Sequence, residues 1–237
     1  MTPPRDRLIV TCEHAGNVVP EKHASLFAGH EALLRSHRGW DPGALELGRE
    51  MATAIGAPLF FDETTRLLVD LNRSVGTPEL HVGPSKGLPS AVRRDILETH
   101  YHPHRRRVAA AIASAVQDTP DRVVHIASHS FTPELDGHVR TADIGLLYDP
   151  RRPGETALAT AWIDALRAAD TPYRLRRNYP YLGASDGVCQ AMRRLHPPER
   201  YVGIELEVNQ RYVEAGGPPW ETIRGDLVET LGAILRR

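Results

Sequence analysis

Six short apolar runs along the chain predict β-strands, because each is only a few residues long and is bounded by polar or turn-forming residues. They lie at residues 8–12, 58–61, 67–70, 123–128, 144–148 and 202–208. Long stretches with a different periodicity separate most of them. The chain therefore alternates between strand-like and helix-like segments.

The intervening stretches carry apolar residues at helical spacing and predict helices at residues 41–55, 89–116, 156–169 and 220–235. Asp41 stands where a helix N-cap is expected, and Gly56 is placed to end the same helix. Alternation of this kind predicts an α/β fold, with a mostly parallel central sheet and helices on both faces. No linker interrupts the pattern, so residues 1–237 are expected to form a single domain.

The composition argues against several classes of protein. The hydrophobic fraction of 41% and the charged fraction of 25% are typical of globular domains. A net charge of -1 gives no electrostatic reason to expect a nucleic-acid partner. No apolar run is long enough to cross a membrane, and the N-terminus lacks the apolar core of a signal peptide. With only Cys12 and Cys189 available, a disulfide framework is not expected, and we predict a cytoplasmic protein of undetermined oligomeric state.

Polar side chains follow the first and the fourth predicted strands. Glu13 and His14 end the run 8–12, and His129 ends the run 123–128. Ligands of open α/β sheets bind beyond the carboxyl ends of the strands, so these residues are candidates for a site. Zinc takes histidine nitrogen and carboxylate oxygen ligands. We therefore consider His14 and His129 as metal ligands, with Asp41 as the third ligand unless it is a plain helix cap, and with Glu13 as a competitor.

Glu205 and Glu207 lie two residues apart in the last predicted strand and therefore point to the same face. Two neighbouring carboxylates are costly to bury unless a cation, a proton or solvent compensates them. One interpretation is an edge strand with a solvated face. The other makes one of them a general base that takes a proton from a metal-activated water, and we favour Glu207, which lies nearer the carboxyl end.

A second polar group follows the predicted strand at 67–70, where Asp70, Asn72 and Arg73 join Arg66. Arginine side chains recognise carboxylates through two parallel hydrogen bonds, so this segment predicts a substrate-binding role, with a structural salt bridge as the alternative. Further polar wall residues are expected in the irregular segments 76–89, 130–143 and 176–187, which are of the length and composition of site walls. In the last of these the candidates are Asn178, Tyr181 and Gly183.

Two other groups of histidines have simpler interpretations. The segment 100–107 (HYHPHRRR) is expected at the surface or at a pocket rim rather than at a second metal site, and its Pro103 is expected to interrupt or kink the helix. His125 lies in the middle of a predicted strand. It is expected to be a core histidine that is satisfied by hydrogen bonds.

Six segments of the chain form a set of motifs: 11–20 (TCEHAGNVVP), 40–44 (WDPGA), 65–73 (TRLLVDLNR), 128–131 (SHSF), 178–183 (NYPYLG) and the Glu-bearing strand at 204–209. Together they span most of the chain. In these motifs and in their order the chain resembles the N-formylglutamate amidohydrolase family. Two departures are Thr65, where a serine is usual, and the residues Glu-Val-Asn-Gln in the last segment. The chain therefore looks like a shorter, divergent branch of the family.

The resemblance implies an α/β fold similar to zinc-dependent exopeptidases and amidases. It implies that His14 and His129 bind a metal with Asp41 or Glu13, that Glu207 or else Glu205 is the general acid/base, and that Arg66 and Arg73 recognise a carboxylate or support the site. Asp70 and Glu13 are expected behind the ligands, with Glu13 orienting His14.

We therefore expect a hydrolase that carries one divalent metal ion, zinc by preference. It would cleave the linear amide of an N-formyl or N-acyl amino acid, a small substrate that bears a carboxylate. The alternatives are a peptide or cell-wall amidase on the same fold, against which the missing signal peptide argues, and an inactive module that binds an acidic metabolite.

Overall fold

The computed structural model describes residues 6–236, and within them the main sheet has six strands. The strands in chain order are β1 (Arg7–Cys12), β2 (Leu59–Phe61), β3 (Val123–Phe131), β4 (Glu134–Leu135), β5 (His138–Val139), β6 (Ile144–Leu147), β7 (Leu175–Arg177) and β8 (Tyr201–Asn209). Their order across the main sheet is β2-β1-β3-β8-β6-β7, while β4 and β5 form a separate hairpin. All neighbouring pairs of the main sheet are parallel except β6 and β8.

Helices connect most of the strands. They are α1 (Glu31–Arg35), α2 (Ala44–Ile55), α3 (Ser90–Ile96), α4 (His102–Asp118), α5 (Pro153–Ala168), α6 (Val188–Leu195), α7 (Arg211–Ala215) and α8 (Gly217–Leu235). A π-helical segment, Leu97–Tyr101, joins α3 to α4. Short 3-10 helices lie at Glu21–Phe27, Pro78–Leu80 and Gly83–Ser85.

The sheet is covered by helices on both faces, which confirms the predicted α/β class. Strand residues alternate between the faces, so Leu8 and Val10 of β1 pack against α2, α5 and α8, whereas Ile9 faces α4 and α6. On the face with α4 and α6, the odd-numbered positions of the central strands change from apolar to polar towards their carboxyl ends. Polar chemistry is thus concentrated at one edge of an otherwise apolar sheet.

Five of the six predicted strands are present, with small differences at their ends, and the strand at 67–70 is absent. The segment instead forms turns in which the Leu68 N–H donates to Thr65 and the Asp70 N–H donates to Leu80. Its apolar side chains fill a separate cluster with Phe27, Ile96 and Tyr101. A short apolar run indicates burial and does not distinguish a strand from a buried loop. The edge strand β7 was missed because two of its three residues are exposed arginines.

The predicted helices are present, but Asp41 does not cap the first of them. Helix α2 begins at Ala44, and its N-cap is Gly43, which has a left-handed conformation with φ of 79°. The Asp41 side chain is turned towards His14 and His129 instead. Gly56 does end α2 in a left-handed conformation, as expected.

The predicted interruption near Pro103 takes the form of a change in hydrogen bonding. The π-helical segment ends at Tyr101, directly before α4, and Pro103 lies in the first turn of α4. Since α4 continues directly from this segment, Pro103 removes an N–H within a longer helix, and the change to π-type hydrogen bonding lies next to it. Among the described residues, no helix has both the length and the hydropathy needed to span a membrane.

Gly183 fixes the segment after β7 against the end of β6. A Cβ atom at this position would lie 2.0 Å from the backbone nitrogen of Tyr148. The Gly183 N–H donates to Oδ1 of Asn178, which also accepts from the Tyr148 N–H, and the Gly183 carbonyl accepts from Arg193. The close approach therefore requires glycine.

We predict that Gly183→Ala lowers the free energy of unfolding by about 1–3 kcal/mol, because the new methyl group has to displace backbone rather than a flexible side chain. The measurement is urea unfolding followed by circular dichroism. Gly87→Ala is the matched control, since a Cβ there meets no atom within 4 Å. Equal stability of the two variants would contradict the packing role of Gly183.

Candidate active site

A cavity of about 850 Å³ opens at the carboxyl edge of β1, β3 and β8. Its floor is formed by residues that follow or end these strands, among them His14, His129 and Glu207. Its walls come from all three of the irregular segments that were expected to form them. Segment 76–89 contributes Glu79 and Val82, and segment 130–143 contributes several residues, including Leu135. Segment 176–187 contributes Tyr181, Leu182, Ser185 and Asp186.

His14, Asp41 and His129 meet at the bottom of this cavity. Oδ2 of Asp41 lies 3.1 Å from Nδ1 of His14 and 2.9 Å from Nδ1 of His129. One candidate ligand atom from each residue lies within 4.8 Å of the others, and all three side chains are buried. The Asp41 backbone N–H also donates to the His14 carbonyl, which holds the two segments together. These residues could hold a metal ion.

Each of the two imidazole rings also has a carboxylate behind it. Nε2 of His14 lies 2.7 Å from Oδ1 of Asp70, and Nε2 of His129 lies 3.4 Å from Oε2 of Glu13. The expectation that Glu13 orients His14 is therefore corrected: Asp70 contacts His14, and Glu13 contacts His129. Strand β1 ends at Cys12. Beyond it, the side chains of Glu13 and His14 point in different directions.

The charges at this site are unusual for a protein interior. Burial acts to raise the pKa of Asp41 and Asp70, yet both pKa values are held well below the usual range. For Asp41 the opposing influences are His14, His129 and Arg66, and for Asp70 they are Arg66 and His14. Arg66 contacts both carboxylates, with Nη1 3.4 Å from Asp41 and Nη2 2.8 Å from Asp70.

The pKa of Glu13, which lies behind His129, is also lowered despite burial. Burial acts to raise its pKa, but His104 and His129 hold it well below the usual range. Neither of its oxygens has a hydrogen-bond partner among the described residues, because the two imidazoles remain at 3.4 and 3.6 Å. The site therefore combines histidine nitrogens with the negative charges of Asp41, Asp70 and Glu13. Such a set of ligand atoms suits a divalent cation such as zinc.

Glu205 and Glu207 share one face of β8 and both line the cavity, as the two-residue spacing predicted. The alternative of a solvated edge strand is excluded, since β8 lies between β3 and β6 and both side chains are buried. Glu207 pairs with His129 across the strands. Burial raises its pKa to about 8, although His129 opposes the shift, and its Oε2 has no partner among residues 6–236. Burial also raises the pKa of Glu205.

The other predicted site residues divide into two groups. Arg66, Asn72, Arg73 and Tyr181 line the cavity. Asn178 and Gly183 are not part of its lining within the described chain, and both hold the loop that carries Tyr181.

Asn72 and Arg73 make contacts of their own. Oδ1 of Asn72 accepts from the Val188 N–H at 2.6 Å, and its Nδ2 lies 3.4 Å from Nε2 of His129. Nη1 of Arg73 donates to the carbonyl of Asp186 at 2.7 Å. Both residues therefore tie the segment after Asp70 to the start of α6.

Sequence reasoning missed Arg38 and His104. Arg38 lines the cavity and is exposed. It lies only three residues before Asp41 in the sequence, and this nearness was a reason to consider it as a site residue. His104 was expected at the surface or a rim, but it is fully buried, with Nε2 3.6 Å from Oε1 of Glu13. The core histidine His125 is as expected: its ring contacts the hydroxyls of Thr11 at 2.9 Å and Tyr201 at 2.7 Å.

Comparison with solved structures finds several similar folds. A crystal structure of gene product Atu2144 from Agrobacterium tumefaciens has a TM-score of 0.82 and 29% sequence identity, and the alignment covers 98% of this chain and 91% of that one. The succinylglutamate desuccinylase from Chromobacterium violaceum is more distant, with a TM-score of 0.49, 13% identity, and coverage of 98% and 61%. Comparison with curated protein sequences found no match.

The model of the family described as N-formylglutamate amidohydrolase matches residues 6–213, which include every residue of the cavity described above. This match extends over most of the sequence and over all strands of the sheet. The chain belongs to the N-formylglutamate amidohydrolase family.

Proposed function

We propose that this chain is a metal-dependent amidohydrolase that cleaves the linear amide of an N-formyl or N-acyl amino acid. The observation that carries the proposal is the buried group of His14, Asp41 and His129, with Glu207 opposite His129 and its Oε2 without a partner among residues 6–236. A divalent ion such as zinc, held by those three residues, would supply the positive charge that polarises the amide carbonyl and acidifies water. Family membership supports hydrolysis of an amide.

Glu207 is proposed as the general acid/base. The side chain lines the cavity, and its buried Oε2 lacks a partner among the described residues, so no other protein group holds this carboxylate. Glu207 would take the proton of the attacking water and deliver it to the amide nitrogen as the amine leaves. The ionised carboxylate that accepts the first proton would be favoured by a divalent ion nearby. Burial, which raises the pKa of Glu207 to about 8 in the metal-free protein, favours the protonated form that makes the second transfer.

The substrate carboxylate needs a cation that is not already neutralised. Arg66 shares its charge between Asp41 and Asp70, and one N–H of Arg73 is used by Asp186. Arg38 lines the cavity and has no ionic partner among residues 6–236. We therefore propose that Arg38 receives the carboxylate, with the remaining N–H groups of Arg66 and Arg73 completing the subsite.

The size of the cavity favours a second candidate substrate. A volume of about 850 Å³ is in the range that encloses drug-sized ligands and exceeds what an N-formyl amino acid requires. Phe131, Leu135 and Leu182 add apolar surface to the walls. A longer N-acyl chain or a short peptide would use this surface, with the same chemistry at its amide.

We place the reaction in the cytoplasm. Cys12 and Cys189 are buried free thiols, and such thiols suit a reducing compartment. Neither contributes to the proposed chemistry, since burial raises the pKa of both well above the usual range and keeps them as thiols.

We predict that Glu207→Gln lowers kcat for N-acyl amino acids by about 10²–10⁴-fold, because the proton shuttle is lost, while roughly one metal ion per chain is retained. His14→Ala and His129→Ala should lose the metal as well as activity. Metal content by mass spectrometry and product release by an amine assay check both. Full activity of Glu207→Gln would contradict the assigned role, and an inactive, metal-free wild type would favour the binding module.

We also predict that Arg38→Gln lowers kcat/KM about 10- to 100-fold for substrates with a free carboxylate, because a charge-assisted contact is lost. The corresponding amide analogue, which has no carboxylate, should be cleaved equally by wild type and variant. Arg35→Gln is the control, since Arg35 is exposed and lies outside the cavity lining of the described residues. An equal loss for both substrates would contradict the proposed recognition.

Finally, Glu207 should make the stability of the metal-free protein depend on pH. Its folded-state pKa of about 8 lies above the reference value of 4.5, so the protonated form stabilises the fold at low pH, and that stabilisation is lost as the pH rises towards 8. The expected slope is a loss of about 1.4 kcal/mol per pH unit within that window.

Urea unfolding between about pH 5 and about pH 8 measures this slope, which Glu207→Gln should reduce. Asp149→Asn is the control. The Asp149 pKa is lowered to about 2 by Arg151, so its contribution is lost only at more acidic pH and the slope should not change. Identical slopes for wild type and Glu207→Gln would disprove the shifted pKa.

A further inference from the structure

His104 is a buried histidine for which the proposed reaction has no use. It lies in α4, on the sheet face that also carries His129, and it is 0% exposed. Neither of its ring nitrogens has a hydrogen-bond partner among residues 6–236. The nearest charged group is Glu13, whose Oε1 lies 3.6 Å from Nε2 of His104. A polar ring in this position would cost stability unless it had such a partner.

Glu13 has the complementary problem. It is also 0% exposed, and both of its oxygens lack hydrogen-bond partners within the described residues. An isolated buried carboxylate is strongly destabilising. Its Oε2 lies 3.4 Å from Nε2 of His129, so the carboxylate lies between the two imidazoles. Small movements of either ring would convert the two contacts into hydrogen bonds.

The position of His104 on α4 directs it inwards. Val108 and Ile112, the next buried residues, follow it at helical spacing, so the three share one face of the helix. His102 lies two residues before His104, on the opposite face, and remains partly exposed beside Glu98. The π-helical segment precedes α4 directly, and such segments are frequently found at functional sites.

The neighbours of His129 determine how its ring can be held. Nδ1 faces Asp41 at 2.9 Å, on the side of the candidate metal ligands. Nε2 faces Glu13 and also lies 3.4 Å from the amide nitrogen of Asn72, which is itself a donor. An N–H at Nε2 can therefore be accepted only by the carboxylate. A ligating histidine ordinarily donates its second N–H to a carboxylate, carbonyl or water in this way.

We propose that Glu13 and His104 form a buried pair that positions His129: His104 holds the Glu13 carboxylate, and the carboxylate fixes the orientation and tautomer of the His129 ring. Asp70 has the corresponding place behind His14. The proposal rests on the proposed metal-dependent function. Glu13 and His104 touch neither substrate nor metal, so they are positioning residues.

The test measures zinc affinity by chelator competition and the visible absorption spectrum of the cobalt(II) form. Glu13→Gln and His104→Leu should each weaken zinc binding about 10- to 100-fold and alter the cobalt spectrum. His104→Gln keeps a donor and should restore part of the affinity. Since the two residues act as one unit, the double variant should be little worse than either single variant.

The control is His125→Gln. His125 is equally buried on the same sheet, but it is held by Thr11 and Tyr201 rather than by the site. Its variant should lose stability in urea unfolding and keep the zinc affinity and cobalt spectrum of the wild type. A purely structural role for His104 would give this same pattern.

The outcomes separate this proposal from the proposed function. Tight zinc binding by wild type, with unchanged affinity and spectrum in folded Glu13→Gln and His104→Leu, would overturn the positioning role alone. Additive losses in the double variant would also overturn it, because independent effects do not describe a pair. Absence of zinc binding by wild type would overturn both proposals. If His104→Leu does not fold, His104→Gln and Glu13→Gln decide the question.

Discussion

One oxygen of Asp41 faces two imidazole rings, and the rest of the site depends on this shared contact. The carboxylate is buried, so positive charge between it and the rings has to offset the loss of hydration, whether protons or a metal ion supply it. His14 follows β1, His129 lies in β3, and Asp41 precedes the first long helix. The contact therefore joins three distant segments, and their surroundings supply the carboxylates and the arginine that balance the charge.

The parallel arrangement of the sheet makes this contact possible. Because β1, β3 and β8 run in the same direction, the residues that end them meet at one edge, where side chains are freed from strand packing. The register between β3 and β8 sets His129 against Glu207. Apolar residues occupy the same strands lower down, so the scaffold that positions the polar groups is rigid.

Local pattern was sufficient to predict the strands that carry the site and the shared face of Glu205 and Glu207, because strand periodicity is a property of neighbouring residues. Local pattern could not predict which side chains contact one another in the site. Glu13 was expected to contact His14, its neighbour in sequence, but contacts His129 because the two side chains diverge beyond β1. Asp41 matched a helix cap equally well, and the segment at 67–70 matched a strand. His104 was misplaced because the polar run 100–107 suggested a solvated surface, whereas His104 lies on the same buried helix face as Val108 and Ile112.

The two carboxylates behind the histidines are both buried, but they differ in whether their own partner lines the cavity. Asp70 is bound to Arg66, which also contacts Asp41 and lines the cavity with 23% of its side chain exposed. A substrate carboxylate that approaches Arg66 would therefore compete with the charges that orient His14. Glu13 is sealed from the cavity, and its partner His104 is equally buried. On the proposed function, the support for His129 would therefore be insulated from the substrate, whereas the support for His14 would be coupled to substrate binding through Arg66.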